Sequence, residues 1–153
     1  GGASVGDYDY MKAAFQEAGA EILFSGIAVR PGKPTWFAKR GAQLVLGLPG
    51  NPASAYVCAH LFLKGLLAKT AGPSSHFTAK LEVEMGPGGF RETYYRAVAR
   101  PVDGSLTVTP LSDQDSSLLR PLQMANCLIR RMPKAPAVRA GDEVDCISLG
   151  RAL

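Results

Sequence analysis

Apolar residues recur along the chain in two different rhythms. From Tyr8 to about Ala18, the residues Met11, Ala14, Phe15 and Ala18 fall at helical spacing, with Asp7 as a capping residue before them and Gly19 as a terminating one after. Glu21 to Val29 is apolar and partly β-branched and predicts a buried strand. Ala42 to Leu46 predicts a second buried strand, with a short one at Trp36 and Phe37 between them. Asn51 and Pro52 then open a helix that keeps its apolar spacing through Tyr56, His60, Leu63 and Leu67 to about Thr70 and ends at Gly72 and Pro73. Helix, strand, strand and helix make a partial α/β domain. After "AGPSSH" at 71–76 the rhythm shortens. Segments 77–85, 92–101, 105–109, 126–131 and 143–148 are β-prone and parted by "GPGG", "VDGS", "MPKAP" and "RAGDE". They predict a small all-β barrel or sandwich. The boundary falls near Gly72 to Ser75, which divides the chain into 1–73 and 76–153.

Composition narrows the function more than the fold. With 46% apolar residues in 153, the chain has enough hydrophobic material for a core. Seventeen Lys and Arg against thirteen Asp and Glu leave a net charge of +4, which leans towards anionic ligands but is too thin for a nucleic-acid binder. Cys58, Cys127 and Cys146 form an odd, widely spaced set that suggests neither a disulfide framework nor a zinc site, so a reducing cytoplasm is the expected setting. No apolar run is long enough to enter a membrane, and no secretory leader is visible. The chain opens inside the glycine loop Gly1-Gly2-Ala3-Ser4-Val5-Gly6 without an initiator Met, as a piece of a longer protein would.

Candidate chemistry gathers in 29–55. Leu48-Pro49-Gly50-Asn51-Pro52 reads as a strand, a tight turn and a capped helix start, which would leave backbone N–H groups and the positive helix end facing one spot, with Ser54 in the first turn. An ordinary well-capped turn is the competing reading. Arg30 and Lys33 flank a turn stiffened by Pro31 and Pro34, and preorganised cations hold anions at lower entropic cost than floppy ones. Solvated surface cations are the alternative there. Asp7 reads as a helix cap, and Asp9 as a first-turn carboxylate able to hold a magnesium ion or to activate water. His60, mid-helix, and His76, in the linker, read as structural. Arg91 and Arg96 lie five apart on one strand, so at most one of them faces a given ligand.

The stretches "GGASVGDYDYMK", "AVRPGKP", "GLPGNPASA" and "QDSSLL" to "ANCLI", in that order, resemble the C-terminal half of the MoeA and gephyrin family of molybdopterin molybdenumtransferases. The resemblance implies a partial molybdopterin-binding α/β domain over residues 1 to about 72 and a C-terminal β-barrel domain over about 76–153. It implies a cytoplasmic enzyme of molybdenum cofactor biosynthesis that releases AMP from adenylated molybdopterin, with magnesium, and inserts molybdate. A homodimer is implied for the full-length protein. By matching motifs, Gly1, Gly2, Ser4, Gly6 and Asp9 fall in the pterin site, with Asp9 as the catalytic and metal residue. Arg30, Lys33, Pro34, Gly50, Asn51 and Ser54 fall in the molybdate region, and Arg96 on the barrel is the remaining match. Many relatives carry lysine at the position of Arg30, and Arg120-Pro121 replaces a common pair of small polar residues. A non-catalytic pterin- or anion-binding module, or a scaffold, is the alternative function.

Overall fold

The computed structural model describes residues 10–67, 76–115 and 120–150. The chain divides into two compact units, Gly1–Lys69 and Thr70–Leu153. The glycine loop, the end of the long helix and the expected boundary at 72–75 lie outside the described residues.

In the first unit, helix α1 (Met11–Glu17) follows an N-cap at Tyr10, whose backbone is helical and whose side chain makes no capping bond. The first turn of α1 carries no carboxylate. Asp7 and Asp9, read as cap and first-turn carboxylate, therefore both precede the N-cap in the chain, and both lie outside the described residues. The C-terminal end matches the expectation. Gly19 takes φ +85°, and the N–H groups of Gly19 and Ala20 donate to the carbonyls of Gln16 and Phe15, both at 2.9 Å. Those paired bonds are a Schellman ending, and glycine reaches that backbone conformation without steric cost.

Strand β1 (Glu21–Ser25) is followed by the two-residue β2 (Val29–Arg30), then β3 (Trp36–Arg40) and β4 (Gln43–Gly47). Strands β1, β3 and β4 form an antiparallel sheet in the order β1-β3-β4. The expectation of two buried outer strands is overturned: Leu23, Phe24 and Leu44 are 49%, 44% and 56% exposed, whereas Trp36 and Ala38 of β3 are buried. In this sheet only β3 has a neighbour on each side, so the short segment between the two expected strands forms the centre. Phe15 of α1 packs on Trp36 with ring centroids 5.8 Å apart. Gly47 lies opposite Trp36 in the register, and a Cβ there would come within 2.0 Å of the indole.

Helix α2 (Pro52–Cys58) runs into a π-helical turn at Ala59–Leu63 and then α3 (Lys64–Leu67). His60 falls in the wide turn and stacks on Tyr56 at 6.3 Å.

The second unit holds β5 (His76–Leu81), β6 (Glu92–Val102), β7 (Ser105–Pro110), helix α4 (Arg120–Met124), β8 (Cys127–Arg131) and β9 (Glu143–Ser148). Its strands neighbour one another in the order β6-β7-β5-β9-β8, and β6 also pairs with β8, which closes a five-stranded barrel. Barrel, and not sandwich, is the outcome because β6 is eleven residues long: its later half pairs with β7 and its earlier half with β8. The β6–β7 hairpin turns on Asp103 (φ 47°) and Gly104 (φ 77°), the two positive φ values of a type I′ turn. Ala79, Leu81, Ala97, Ala99, Val108, Cys127, Ile129, Val144 and Cys146 fill the interior. The fully buried positions of β6, Ala97 and Ala99, are small because a five-stranded barrel has little room inside.

Helix α4 has no counterpart among the expected elements. It leads into Asn126, whose side chain accepts from Ala99 N–H and donates to Ala99 C=O, both at 2.8 Å and both buried. The Asn126→Ala variant leaves that N–H and carbonyl without partners. A buried unmet group costs about 1–3 kcal/mol, so leaving two of them is expected to cost about 2–6 kcal/mol. Urea unfolding with an unshifted midpoint would show that water takes over both bonds.

On the barrel exterior, Tyr94 donates to Glu92 at 2.7 Å, and Arg130 pairs with the same carboxylate at 2.5 Å. Burial, followed by the bond to Glu92, pushes the Tyr94 phenol up to about 12 from its ordinary 10. A group whose pKa rises on folding stabilises below its unfolded value and loses that contribution as pH climbs to the folded one. The barrel is therefore expected to lose stability between pH 10 and about 12 through Tyr94. Tyr94→Phe should flatten that decline in melts taken across the range; an unchanged slope contradicts it.

Candidate functional site

The 26–35 loop is closed by its own backbone. Gly26 N–H donates to Thr35 C=O at 2.9 Å, Ile27 N–H to Lys33 C=O at 3.0 Å, and Thr35 N–H to Gly32 C=O at 2.9 Å. These bonds hold a turn at Pro31–Pro34 whose two cations, Arg30 and Lys33, are exposed, while Pro34 is half-buried.

The loop meets α2 at Cys58. Thr35 Oγ1 donates to Cys58 Sγ at 3.6 Å, and Cys58 Sγ donates to Pro31 C=O at 3.7 Å. Both side chains are buried, Thr35 at 1% and Cys58 at 0% exposed. Gly32, at φ +132°, is required twice over: its backbone region is closed to most side chains, and a Cβ there would stand 2.6 Å from Cys58 Sγ. Ser54 is buried four residues before Cys58, so it lies one turn (about 5.4 Å) along the same face of α2. The sequence marks Cys58 only as one of three scattered cysteines and Thr35 not at all; the one trace of their contact is the glycine in the Pro31–Pro34 turn.

Asn51 is the N-cap of α2 and Pro52 its first residue, as expected. The helix start nevertheless differs from the expected array of open donors. Asn51 Oδ1 accepts from Ala53 N–H at 3.1 Å and Ser54 N–H at 3.3 Å, and Ala55 N–H donates to Asn51 C=O at 2.8 Å. Pro52 has no N–H. What α2 offers an anion is thus its dipole and the Ser54 side chain, in a first turn free of acidic residues. Gly50 is exposed and Asn51 half-buried beside it.

Arg96 belongs to the second unit. Tyr95, Ala97 and Ala99 of β6 turn towards the barrel core, so alternation sends Arg96 outward, where it is buried all the same. Its guanidinium donates to Asp115 C=O at 3.1 Å, and Gln114 brackets its backbone through Arg96 N–H and C=O at 3.0 and 2.9 Å. Burial lowers its pKa, and Asp113 and Asp115 oppose the shift. Arg91 is exposed just before β6.

Gly1, Gly2, Ser4, Gly6 and Asp9 lie outside the described residues. Among the described residues no three His, Cys, Asp or Glu gather where a metal ion would sit. They form no magnesium cage, and no role assigned to them runs through that ion. Cys58, Cys127 and Cys146 are free and buried. No helix among the described residues is long and apolar enough to cross a membrane.

Comparison with known proteins matches both units. Residues 1–69 fit the family described as "Probable molybdopterin binding domain", and residues 78–149 fit "MoeA C-terminal region (domain IV)". The chain belongs to the MoeA family. Its relatives include the molybdopterin molybdenumtransferases of Bacillus subtilis, 33% identical over 84% of this chain, and of Staphylococcus aureus, 30% identical over 96%. That of Haemophilus influenzae is 33% identical over 94%. The chain spans only about a third of each relative's length: 31%, 36% and 37% respectively. A molybdopterin biosynthesis MoeA protein from Pyrococcus horikosii superposes with a TM-score of 0.73 at 23% identity, covering 93% of this chain and 35% of the other. A molybdenum cofactor biosynthesis protein from Pyrococcus furiosus gives 0.72 at 22%, covering 93% and 55%. At such identities the likeness concerns the fold.

Proposed function

We propose that this chain supplies the molybdate-holding part of a molybdopterin molybdenumtransferase, with Arg30, Lys33 and Ser54 as the groups that grip the oxyanion and Pro34, Gly50 and Asn51 shaping its rim. The observation that carries this reading is the docking of the Arg30–Lys33 turn on α2 through Cys58, one helical turn from Ser54. A tetrahedral dianion suits two cations of different kind: the arginine fork takes two oxygens, and the lysine follows as a mobile point charge. The second substrate is adenylated molybdopterin. A hollow of about 340 Å³ lined by Met11, Phe15, Trp36, Val45 and Pro49 lies beside the Gly50–Asn51 turn and has the size and aromatic lining that a flat heterocycle fits. In the full-length protein we place AMP release on Asp9, with magnesium as the ion required, a homodimer as the assembly and the cytoplasm as the location.

The test is molybdate binding to this chain, followed by calorimetry at rising ionic strength. Exposed cations are screened as the Debye length shrinks from about 30 Å at 0.01 M to about 8 Å at 0.15 M, so affinity is expected to fall steadily. Sulfate, of like shape and charge, should compete. A chain that binds no molybdate at low salt, or binds it with no response to salt, defeats the proposal.

A further inference from the structure

We propose that Cys58 is a positioning residue for the oxyanion, its thiol bridging the turn that carries Arg30 and Lys33 to the helix that carries Ser54. This rests on the molybdate reading above. The cations and the serine come from segments separated in sequence, and their relative placement depends on whatever joins the turn to α2. Cys58 contacts the turn in three ways: it donates to Pro31 C=O at 3.7 Å, accepts from Thr35 Oγ1 at 3.6 Å, and fills the space that Gly32 leaves by lacking a Cβ. Burial raises the pKa of the thiol, although the Thr35 bond opposes this, so the S–H that donates to Pro31 stays protonated. A residue that packs only for stability would tolerate any side chain of its volume. A positioning thiol demands a donor at that point.

Because binding and positioning are linked, an oxyanion that clamps turn and helix together must also hold the thiol shut. The experiment is alkylation of the whole chain by iodoacetamide with and without saturating molybdate, the three cysteines being followed separately by peptide mass. Cys127 and Cys146, in the barrel core, serve as references within the same molecule. Molybdate is expected to slow alkylation of Cys58 about 10-fold and leave the other two unchanged. In parallel, Cys58→Val keeps the bulk and removes the donor, whereas Cys58→Ser keeps a donor. Molybdate affinity should fall about 10-fold in C58V and stay within about 3-fold of the parent in C58S, the loss being that of one hydrogen bond.

If Arg30→Ala weakens molybdate binding but C58V binds like the parent and alkylation ignores molybdate, the positioning role is overturned while the oxyanion site stands. If Arg30→Ala itself leaves binding unchanged, the site reading falls and this inference with it. Should C58V fail to give a cooperative melt, the alkylation comparison on the unaltered chain decides alone.

Discussion

In a full-length family member carrying this segment, Asp9→Asn is expected to slow the release of AMP from adenylated molybdopterin by about 10² to 10⁴, the range for removing a general acid or base. The competing account of Asp9 is a carboxylate that complements a helix dipole, worth about 0.3–1 kcal/mol of stability and nothing in turnover. The start of α1 weakens that account. Its N-cap is Tyr10 and its first turn has no acidic residue, so Asp9 precedes the cap in the chain and is not one of the first-turn carboxylates that a helix dipole favours. Asparagine matches aspartate in size and keeps one acceptor oxygen while removing the charge, which separates chemistry from folding. Single-turnover hydrolysis and thermal melts on one preparation measure both. Normal turnover with a slightly lowered melting temperature would return Asp9 to a structural part.

The double variant Arg30→Ala with Lys33→Ala is expected to weaken molybdate binding to this chain by about 10² to 10⁴. Each charged hydrogen bond is worth about 1.5–3 kcal/mol, and two lost together amount to about 3–6 kcal/mol. Both side chains are exposed, so the upper end belongs to low salt and the lower end to physiological ionic strength. Exposure also means that the fold should hardly notice, since surface changes of this kind usually stay within about 0.5 kcal/mol. Arg30→Lys is the informative intermediate: it keeps the charge and loses the planar fork. Equilibrium dialysis at fixed salt measures all three proteins. A double variant within about threefold of the parent would overturn the oxyanion site at Arg30 and Lys33.

The five barrel strands were legible in the sequence because their punctuation is chemical. The Asp103–Gly104 turn demands two positive φ values, and the breaks around 132–136 and 139–142 are built from Pro and Gly. The Gly19 ending of α1 and the Asn51-Pro52 start of α2 were legible for the same reason, as were the two cations around the Pro31–Pro34 turn. Burial along β1 and β4 was not. An apolar run states only that its residues favour burial, and which of them have neighbours depends on the strand order that put Trp36 and Ala38 at the centre. Helix α4 escaped notice because five residues are too few to display a 3.6-residue period.

The sequence by itself determined the local conformations and the placing of two cations on one turn. Backbone sterics at Gly and Pro, the capping chemistry of Asn51, and two cations on a stiff turn act within a few residues of one another and need no distant partner. Only the tertiary structure decided how many donors the helix start keeps and what holds the site together. The Asn51 side chain takes the Ala53 and Ser54 N–H groups, a geometric choice among several a cap can make. The contact that brings the Arg30–Lys33 turn to the face of Ser54 joins Pro31 and Gly32 to Cys58 across some twenty-seven positions of sequence. Such a contact follows from the packing of α2 against the loop, and a lone cysteine in an apolar helix carries no mark of it in the sequence.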